Sequence, residues 1–322
     1  MNILVFGKDG QLGKAFQNVF EAQKLDALHN IQYLSRVQCD LRNTEALSKL
    51  LQDVQPQLII NAAAYTAVDE AEKEIDLAYA INADAPAIMG HYAVQNGATL
   101  VHYSTDYVFD GAKAAPYLET DVLNPLGIYG KSKMAGEVVI KNTFRGNRKP
   151  QAQFGILRTS WVYGDGGNFI RTILHLAKER ESLKVIANQY GVPTSALWLA
   201  GVSFALVLDE NHQLRSFPSG VYHAIPQGET TWHELACFAV QAALDAGATL
   251  KLRPSQIEAI PASEYPLSAP RPMNSRMARS ALDALLNQIY KNGDVTKLQQ
   301  WQQSWQESVV DYVQDLVFHK YI

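Results

Sequence analysis

Tyr129 and Lys133 lie one helical turn apart if the segment Tyr129-Gly130-Lys131-Ser132-Lys133 is helical, because that spacing places both side chains on one face. Tyrosine ordinarily has a pKa of about 10, and a nearby ammonium group favours its phenolate. Such a pair can protonate a ketone oxygen as hydride reaches the carbon, while the lysine also hydrogen-bonds a nicotinamide ribose. The spacing predicts a catalytic pair of a reductase; the alternative is a surface tyrosine beside a lysine-rich helix start.

Two hydroxyl side chains, Ser104 and Thr105, follow an apolar run at residues 99–103 that predicts a strand. Ligands bind at the carboxyl ends of parallel strands in α/β folds. Either hydroxyl can therefore donate a hydrogen bond to a carbonyl oxygen where negative charge develops. The alternative role is a helix or turn cap.

A glycine turn, Gly7-Lys8-Asp9-Gly10-Gln11-Leu12-Gly13, stands between a predicted strand at 3–6 and a predicted helix at 10–22. Glycines allow positive φ and close backbone approach, and the free amides of a helix N-terminus favour anions. The turn predicts a pyrophosphate site formed by Gly7, Gly10, Gln11, Leu12 and Gly13. A turn that only packs helix against strand is the alternative.

The end of the second predicted strand indicates which dinucleotide binds. Domains that select NAD usually carry an acid there, whereas this chain has Ser35 and Arg36, a hydroxyl and a cation suited to a 2′-phosphate. We therefore expect NADPH, with NADH possible and a solvated surface Arg36 as the alternative. Asp40 and Leu41 either cap the next helix or bracket the adenine.

Small side chains end the third predicted strand. Ala62, Ala63 and Ala64 follow Asn61 and leave room for a dinucleotide, although close packing is an equally natural reason for three alanines.

The elements that must position these residues alternate in type through the first half of the chain. Apolar runs at 3–6, 31–34, 58–61 and 99–103 alternate with helical patterns, which predicts a parallel sheet with crossover helices. We expect an α/β fold: a Rossmann-like doubly wound parallel sheet with a smaller α/β substrate domain. The predicted nucleotide domain covers 1–160, with segments near 185–225 returning to it, and the interleaved substrate domain covers 161–322. The chain ends in a predicted long amphipathic helix from about 294 to 318.

Composition narrows the function classes. The 28 basic and 32 acidic side chains give a net charge of −4 without long runs of one sign, so nucleic acid and membrane surfaces are not expected partners. Cys39 and Cys237 lack metal or redox spacing, and the eight histidines are scattered, so no metal is predicted. The apolar start of the chain is too short for a signal segment, which leads us to expect a cytoplasmic protein.

The motifs together resemble the extended short-chain dehydrogenases, and one branch in particular, the dTDP-4-dehydrorhamnose reductase family. The segments that carry the resemblance are 6–13, 61–69, 102–111, 158–163 and 271–275. The resemblance implies NADPH-dependent reduction of the C4 ketone of dTDP-4-dehydro-L-rhamnose to dTDP-L-rhamnose, a donor for bacterial surface polysaccharides. It implies that Thr105 holds the keto oxygen, Tyr129 delivers the proton, and Lys133 fixes the nicotinamide ribose and eases ionisation of Tyr129.

The resemblance also implies a substrate side. Trp161 would border the sugar, and Arg271 would pair with the diphosphate through its planar guanidinium. A buried tryptophan and a surface arginine are the alternatives. The remaining residues expected to bind the dTDP-sugar are Thr66, Val68, Ser104, Thr105, Asp106, Tyr107 and Phe109.

Two positions depart from related patterns. Dehydratases of the superfamily carry an Asp-Glu pair after the threonine, whereas Tyr107 follows Asp106 here, so no acid is ready for elimination. Some family members form a dimer around magnesium held by glutamates, and one of those positions is Ala15 here. We therefore expect no structural magnesium and a monomer or weak dimer. An epimerase or reductase of another nucleotide sugar, and a non-catalytic NADP-binding regulatory subunit, remain as alternative functions.

Overall fold

The computed structural model describes residues 1–147, 149–265, 267–290 and 295–322. The strands, in chain order, are β1 (Asn2–Phe6), β2 (Asn30–Leu34), β3 (Leu58–Asn61), β4 (Thr99–Thr105), β5 (Gln153–Thr159), β6 (Val162–Tyr163), β7 (Leu183–Ile186), β8 (Tyr190–Gly191), β9 (Thr194–Ser195), β10 (Gly220–His223), β11 (Thr230–Thr231) and β12 (Ile257–Ile260).

The helices carry the crossovers between strands and build the second half of the chain. In order they are α1 (Gln11–Ala22), α2 (Thr44–Val54), α3 (Val68–Ala71), α4 (Ile75–Tyr79), α5 (Ala85–Asn96), α6 (Ile128–Phe144), α7 (Phe169–Glu179), α8 (Ala196–Val207), α9 (Trp232–Asp245), α10 (Ser280–Ile289), α11 (Val295–Trp301) and α12 (Trp305–Phe318). A π-helical turn, Ala80–Asp84, joins α4 to α5.

The main sheet is parallel and has the order β10-β5-β4-β3-β1-β2 within the described residues. The inner strands β1, β3, β4 and β5 are buried on both faces, and strands of this kind read as largely apolar runs rather than as alternating ones. Ile3 and Val5 of β1 face one layer and Leu4 and Phe6 face the other. The Rossmann-like fold expected from the sequence is confirmed.

Helices cover both faces of this sheet. The first layer packs α1, α8 and α10 over the sheet through side chains such as Phe16 and Leu199. The second layer packs α2, α5 and α6 through side chains such as Leu51, Met89 and Ile140. The catalytic segment predicted at Tyr129–Lys133 therefore lies on a helix pressed against the sheet.

A separate hydrophobic core forms in the second half of the chain. Helices α7, α9 and α12 pack around it with the parallel pair β7 and β12. After β5 the chain leaves the main sheet and returns to it as β10, which pairs with β5. The main sheet thus takes strands from both sides of residue 160.

The prediction of one long C-terminal helix from about 294 to 318 is wrong, because α11 and α12 are separate helices. Asp294, its predicted first residue, lies outside the described residues. The break falls at Ser304, whose Oγ accepts a hydrogen bond from the Glu307 amide while the Glu307 carboxylate accepts from the Ser304 amide. This reciprocal capping starts a new helix because it satisfies amides that a continuing helix would bond itself.

Candidate functional site

The carboxyl ends of four neighbouring strands bring the predicted site together. The pairing of β1 with β3 aligns Phe6 with Asn61, and the pairing of β4 with β5 aligns Thr105 with Thr159. The glycine turn follows Phe6 directly. The structure therefore places the predicted cofactor turn and the predicted catalytic threonine at the same edge of the sheet.

Three glycines shape the turn, each for a different reason. Gly7 has φ +85°, and a Cβ there would lie 2.7 Å from the Ala63 amide nitrogen. At Gly13 a Cβ would lie 2.1 Å from the Gly7 carbonyl oxygen. Gly10 precedes α1, and a Cβ there would meet only the Gly7 oxygen, at 3.4 Å. No side chain of the described residues caps α1 at Gly10, so its first amides are open to an anion.

Ser35 and Arg36 lie next to this turn, because the amides of Gly7 and Lys8 both bond the last carbonyl of β2. The Ser35 hydroxyl accepts a hydrogen bond from the Gln38 amide at 3.4 Å. The Arg36 side chain is 68% exposed, and its Nε lies 3.7 Å from an Asp40 carboxylate oxygen. The cation is therefore available to a ligand at the end of β2.

Asp40 and Leu41 have different surroundings. Arg42 donates Nε and Nη2 hydrogen bonds to the Asp40 carboxylate, and these hold its pKa at about 2. Leu41 is buried in the hydrophobic layer that α2 forms on one face of the sheet. Arg42 adds a second cation beside Arg36 that sequence reasoning missed.

Helix α6 begins at Ile128, so Tyr129 and Lys133 share one face as the spacing predicted. The Lys133 side chain is buried, and its ammonium donates to the Tyr103 carbonyl oxygen at 2.5 Å and lies 3.4 Å from His102 Nε2. Burial lowers the pKa of Lys133 to about 8, while the Glu137 carboxylate acts to raise it. Burial and the Lys133 charge hold the pKa of His102 well below its usual range, so this imidazole is neutral.

The expectation that Lys133 eases ionisation of Tyr129 stays a prediction. Burial raises the pKa of Tyr129 to about 12; its hydrogen bond with Thr105 acts to lower it and the Asp106 charge to raise it. Tyr129 is therefore a neutral phenol around neutral pH, which is the form that can donate a proton.

Thr105 combines the two roles left open by the sequence. Its hydroxyl donates to Asp106 Oδ1 at 2.8 Å and accepts from the Tyr107 amide at 3.1 Å, so it caps the short turn that follows β4. It also contacts Tyr129, as noted above. Burial raises the pKa of Asp106 to about 6, with hydrogen bonds from Ser275 and Thr105 acting to lower it.

Five of the ten buried side-chain polar atoms that lack a hydrogen-bond partner among the described residues lie at this edge. Buried polar groups are normally paired in folded proteins, so such atoms indicate where a ligand supplies the partner. The atoms at this edge are Gln11 Oε1, Asn61 Oδ1, Ser104 Oγ, Asp106 Oδ2 and Thr159 Oγ1. Their distribution, from the glycine turn to the end of β5, fits a ligand as long and as polar as a dinucleotide with a hydroxylated sugar beside it.

Aromatic residues follow the ends of β4 and β5, and one of them contacts the predicted catalytic tyrosine. The Tyr107 ring meets the Tyr129 ring edge to face at 5.6 Å. Trp161 follows the end of β5 and is partly exposed. Phe109 differs: it is 1% exposed, stacked on Tyr117 at 4.2 Å. Because its ring is enclosed in the second core, the structure gives no support to a role for Phe109 in binding substrate.

The remaining predicted substrate residues lie on loops after β3 and before α10. Thr66 is exposed and Val68 begins α3. The Arg271 guanidinium donates to Asp69 Oδ2 at 2.7 Å and to the Ala269 carbonyl oxygen at 3.0 Å. An approaching diphosphate would therefore compete with Asp69 for Arg271, a constraint that the sequence did not reveal.

Sequence reasoning missed the residues that fix α6. A Cβ at Gly130 would lie 2.1 Å from the Tyr107 carbonyl oxygen, and one at Gly136 would lie 2.1 Å from the Asn82 carbonyl oxygen. Glu72 Oε1 accepts the Ile128 amide at 2.8 Å and so caps the helix. Glycine within a helix costs about 1 kcal/mol relative to alanine, and the presence of two in α6 was a signal that this helix approaches other backbone closely.

A buried ion pair ties α6 to β5. Arg158 donates through Nε and Nη2 to the two Glu137 oxygens at 2.8 and 2.7 Å, and both side chains are essentially inaccessible to solvent. The Arg158 guanidinium also lies over the Phe109 ring, 5.1 Å from its centre. The pair holds the helix that carries Tyr129 against the strand next to Thr105.

The family model described as the RmlD substrate binding domain matches residues 1–315 of the chain. The chain belongs to this family. The predicted resemblance to the dTDP-4-dehydrorhamnose reductases is confirmed by relatives of that name, since the protein of Salmonella typhimurium is 42% identical over 282 residues, 86% of this chain and 89% of the relative.

Solved structures agree with this membership. A dTDP-4-dehydrorhamnose reductase of Clostridium acetobutylicum superposes with a TM-score of 0.81 at 32% identity, covering 98% of this chain and 99% of the other. A Bacillus anthracis dTDP-4-dehydrorhamnose reductase, solved in complex with NADP, gives a TM-score of 0.76 at 32% identity, with 96% of each chain covered.

The described ranges contain no group of three or more His, Cys, Asp or Glu side chains that could hold a metal ion. Ala15, at the position of a glutamate in some family members, is buried between α1 and the sheet. None of the helices that the structure describes has the length and apolar composition needed to cross a membrane.

The close approach of α6 yields a first prediction. Gly130→Ala forces the added methyl group against the Tyr107 carbonyl oxygen, so we expect a loss of about 1–3 kcal/mol in the free energy of unfolding, typical of overpacking. Chemical denaturation measures it. Gly167→Ala is the control, because a Cβ there meets nothing within 4 Å. Equal stability of both variants would contradict the tight contact.

Proposed function

We propose that the protein reduces the C4 ketone of dTDP-4-dehydro-L-rhamnose to dTDP-L-rhamnose with NADPH, as the final step in making this sugar donor for surface polysaccharides. The observation that carries the proposal is the convergence of Thr105, Tyr129 and Lys133 beside the glycine turn, in a chain of this reductase family. The unpartnered polar atoms around them suit a polar ligand in the same place.

The residues present fit NADPH. The open amides at the start of α1 would receive the pyrophosphate, and Ser35 with Arg36 would receive the 2′-phosphate. Ala62, Ala63 and Ala64 would lie along the dinucleotide, Asp40 and Leu41 near the adenine, and Lys133 at the nicotinamide ribose. NADPH supplies the hydride when bound.

The protein's own groups handle the proton and the orientation of the ketone. Tyr129 donates its phenolic proton to the keto oxygen as the C4 carbon is reduced, and the raised pKa keeps that proton in place beforehand. Thr105 donates to the same oxygen by exchanging its hydrogen bond with Asp106 for one to the substrate. Trp161 borders the sugar, and Arg271 exchanges Asp69 for the diphosphate.

The proposal also covers domain organisation, location and oligomeric state. It includes a nucleotide domain at 1–160 and a substrate domain at 161–322, a cytoplasmic location, and a monomeric or weakly dimeric state. The dTDP-sugar is the proposed small-molecule partner. Tyr107 after Asp106 supports reduction rather than elimination, since no glutamate follows the aspartate.

Removal of the Tyr129 hydroxyl tests the assignment of the proton donor. We expect Tyr129→Phe to lower kcat by roughly 10²- to 10⁴-fold, the usual contribution of a general acid, with NADPH affinity nearly unchanged. The assay follows NADPH consumption with dTDP-4-dehydrorhamnose generated in situ, and a UDP-sugar serves as the substrate control. Turnover equal to that of the parent would remove Tyr129 from the mechanism, and no turnover by the parent would refute the proposed reaction.

The pKa of Lys133 predicts a pH dependence. Because burial lowers this pKa to about 8, Lys133 carries a positive charge and three N–H donors below that pH, and it loses the charge and one donor above it. We expect kcat/KM for NADPH to fall above about pH 8 with a single ionisation. Lys133→Arg keeps a cation at every accessible pH, so its residual activity should lack that decline. A parent profile that stays flat to pH 10 would contradict the role of the ammonium.

Cofactor preference tests Arg36. Because Arg36 would bind the 2′-phosphate that NADH lacks, Arg36→Ala should weaken NADPH binding by about 1–3 kcal/mol, or roughly 5- to 150-fold, and leave NADH binding unaltered. Affinities follow from cofactor fluorescence. The control is Arg253→Ala, which removes an exposed cation that precedes β12 rather than following β2. An unchanged ratio of the two affinities would assign the 2′-phosphate to another group.

A further inference from the structure

Trp161 has an unusual backbone conformation. Its φ is +47°, in the left-handed region that bulky side chains rarely adopt. Residues in such conformations collect at ligand sites, where the surrounding structure holds them in place. Trp161 comes just after β5, whose last residue, Thr159, pairs with Thr105. The strained residue therefore stands at the edge of the sheet that carries the proposed chemistry.

Two neighbours, Trp232 and Gly191, pack against the Trp161 side chain. Its indole stacks on that of Trp232, with ring centres 3.6 Å apart and planes 15° from parallel. The same indole presses on Gly191, where a Cβ would lie 2.5 Å from Cε2 of Trp161. Gly191 has no positive φ, so space rather than conformation requires glycine there. Both tryptophans remain partly exposed, so the stack has an open side.

Trp232 is itself held from two directions. It is the first residue of α9, and Thr231 fixes that helix start by a reciprocal hydrogen-bond pair with Glu234. The Phe169 ring packs on Trp232 at 4.6 Å. Strand β11, which ends at Thr231, pairs with β8, which ends at Gly191. One local structure therefore carries both neighbours of the Trp161 indole.

The backbone around Trp161 is fixed as well. The Ser160 hydroxyl donates to the Val192 carbonyl oxygen at 2.7 Å, and the Trp161 carbonyl oxygen accepts from the Thr194 amide at 3.2 Å. These bonds hold the main chain, while the indole rotates about its own side-chain bonds unless something packs on it. Trp232 and Gly191 supply that packing.

We propose that Trp232 and Gly191 are positioning residues for the sugar: they hold the Trp161 indole as a preformed wall against which the pyranose ring of the nucleotide sugar packs. This inference rests on the proposed function. A preformed wall improves affinity because less side-chain freedom is lost on binding. Trp232 and Gly191 therefore influence the affinity for the sugar, but not the affinity for the dinucleotide or for the nucleotide part of the substrate.

The test compares two ligands that differ only in the sugar. Trp232→Leu should weaken dTDP-L-rhamnose binding about tenfold, as expected for loss of an aromatic pair, and leave dTDP and NADPH affinities unchanged. Trp232→Phe should lie between parent and Trp232→Leu. Gly191→Ala should resemble Trp232→Leu because its methyl group displaces the indole. Trp301→Phe is the control, since Trp301 packs on Gly201 and Tyr290 instead.

A double-mutant cycle separates positioning from general destabilisation. Because Trp232 acts through Trp161, adding Trp232→Leu to Trp161→Ala should cost no further affinity for dTDP-L-rhamnose and no further increase in KM. Additive effects, or weaker binding of dTDP and NADPH as well, would show a merely structural role and overturn the inference.

The same measurements distinguish this inference from the proposed function. A parent protein that turns over dTDP-4-dehydrorhamnose, with a Trp232→Leu variant whose KM equals that of the parent, would overturn the inference and leave the function intact. A parent protein that neither binds dTDP-L-rhamnose nor oxidises NADPH with the substrate would refute both.

Discussion

The backbone of α6 lies in direct contact with the backbone after β4 and with the π-helical turn before α5, and the geometry of the site depends on this contact. It exists only because Gly130 and Gly136 carry no side chain. The two interior glycines lower the helix propensity of α6, but they allow the close approach that places Tyr129 beside Thr105 and Lys133 beneath the end of β4. Asn82 joins the same contact by donating to Ser132 Oγ at 3.0 Å.

Charges around α6 reinforce that position rather than the stability of the fold. The Arg158–Glu137 pair is buried, and a buried pair recovers little more than its own desolvation cost. Its bidentate geometry does fix the distance between α6 and β5. The Glu137 carboxylate also acts to raise the pKa of Lys133 against the effect of burial. One ion pair thus fixes the place of α6 and also opposes the effect of burial on the charge of Lys133.

The site is polar at one end and aromatic at the other, and the two ends belong to different parts of the chain. Hydroxyl, amide and carboxyl groups with unmet hydrogen bonds lie at the ends of β3, β4 and β5. The Trp161–Trp232 stack stands where the chain leaves the main sheet for the second core. This arrangement suits a ligand whose nucleotide and sugar parts need different surroundings, and under the proposed function the second core would contribute to recognising the sugar.

Local signals in the sequence determined much of this protein. Continuous apolar runs specified the parallel strands, the glycine turn specified the start of α1, and the spacing of Tyr129 and Lys133 placed both on one face of α6. Even the break before α12 has a local cause, the capping of the helix by Ser304 and Glu307. The amphipathic pattern continues across this break and therefore predicted one long helix. These features follow from short-range hydrogen bonding and side-chain periodicity, which need no knowledge of the rest of the chain.

Only the tertiary structure decided where the side chains point and what surrounds them. Arg271 meets Asp69 across 202 positions of sequence, Phe109 is enclosed in the second core, and the Lys133 ammonium donates to the Tyr103 carbonyl oxygen. Burial raises the pKa of Tyr129, and burial depends on packing from several elements at once. Such contacts join distant segments, and their geometry is fixed by the mutual packing of sheet and helices, which the spacing of residues along the chain does not encode.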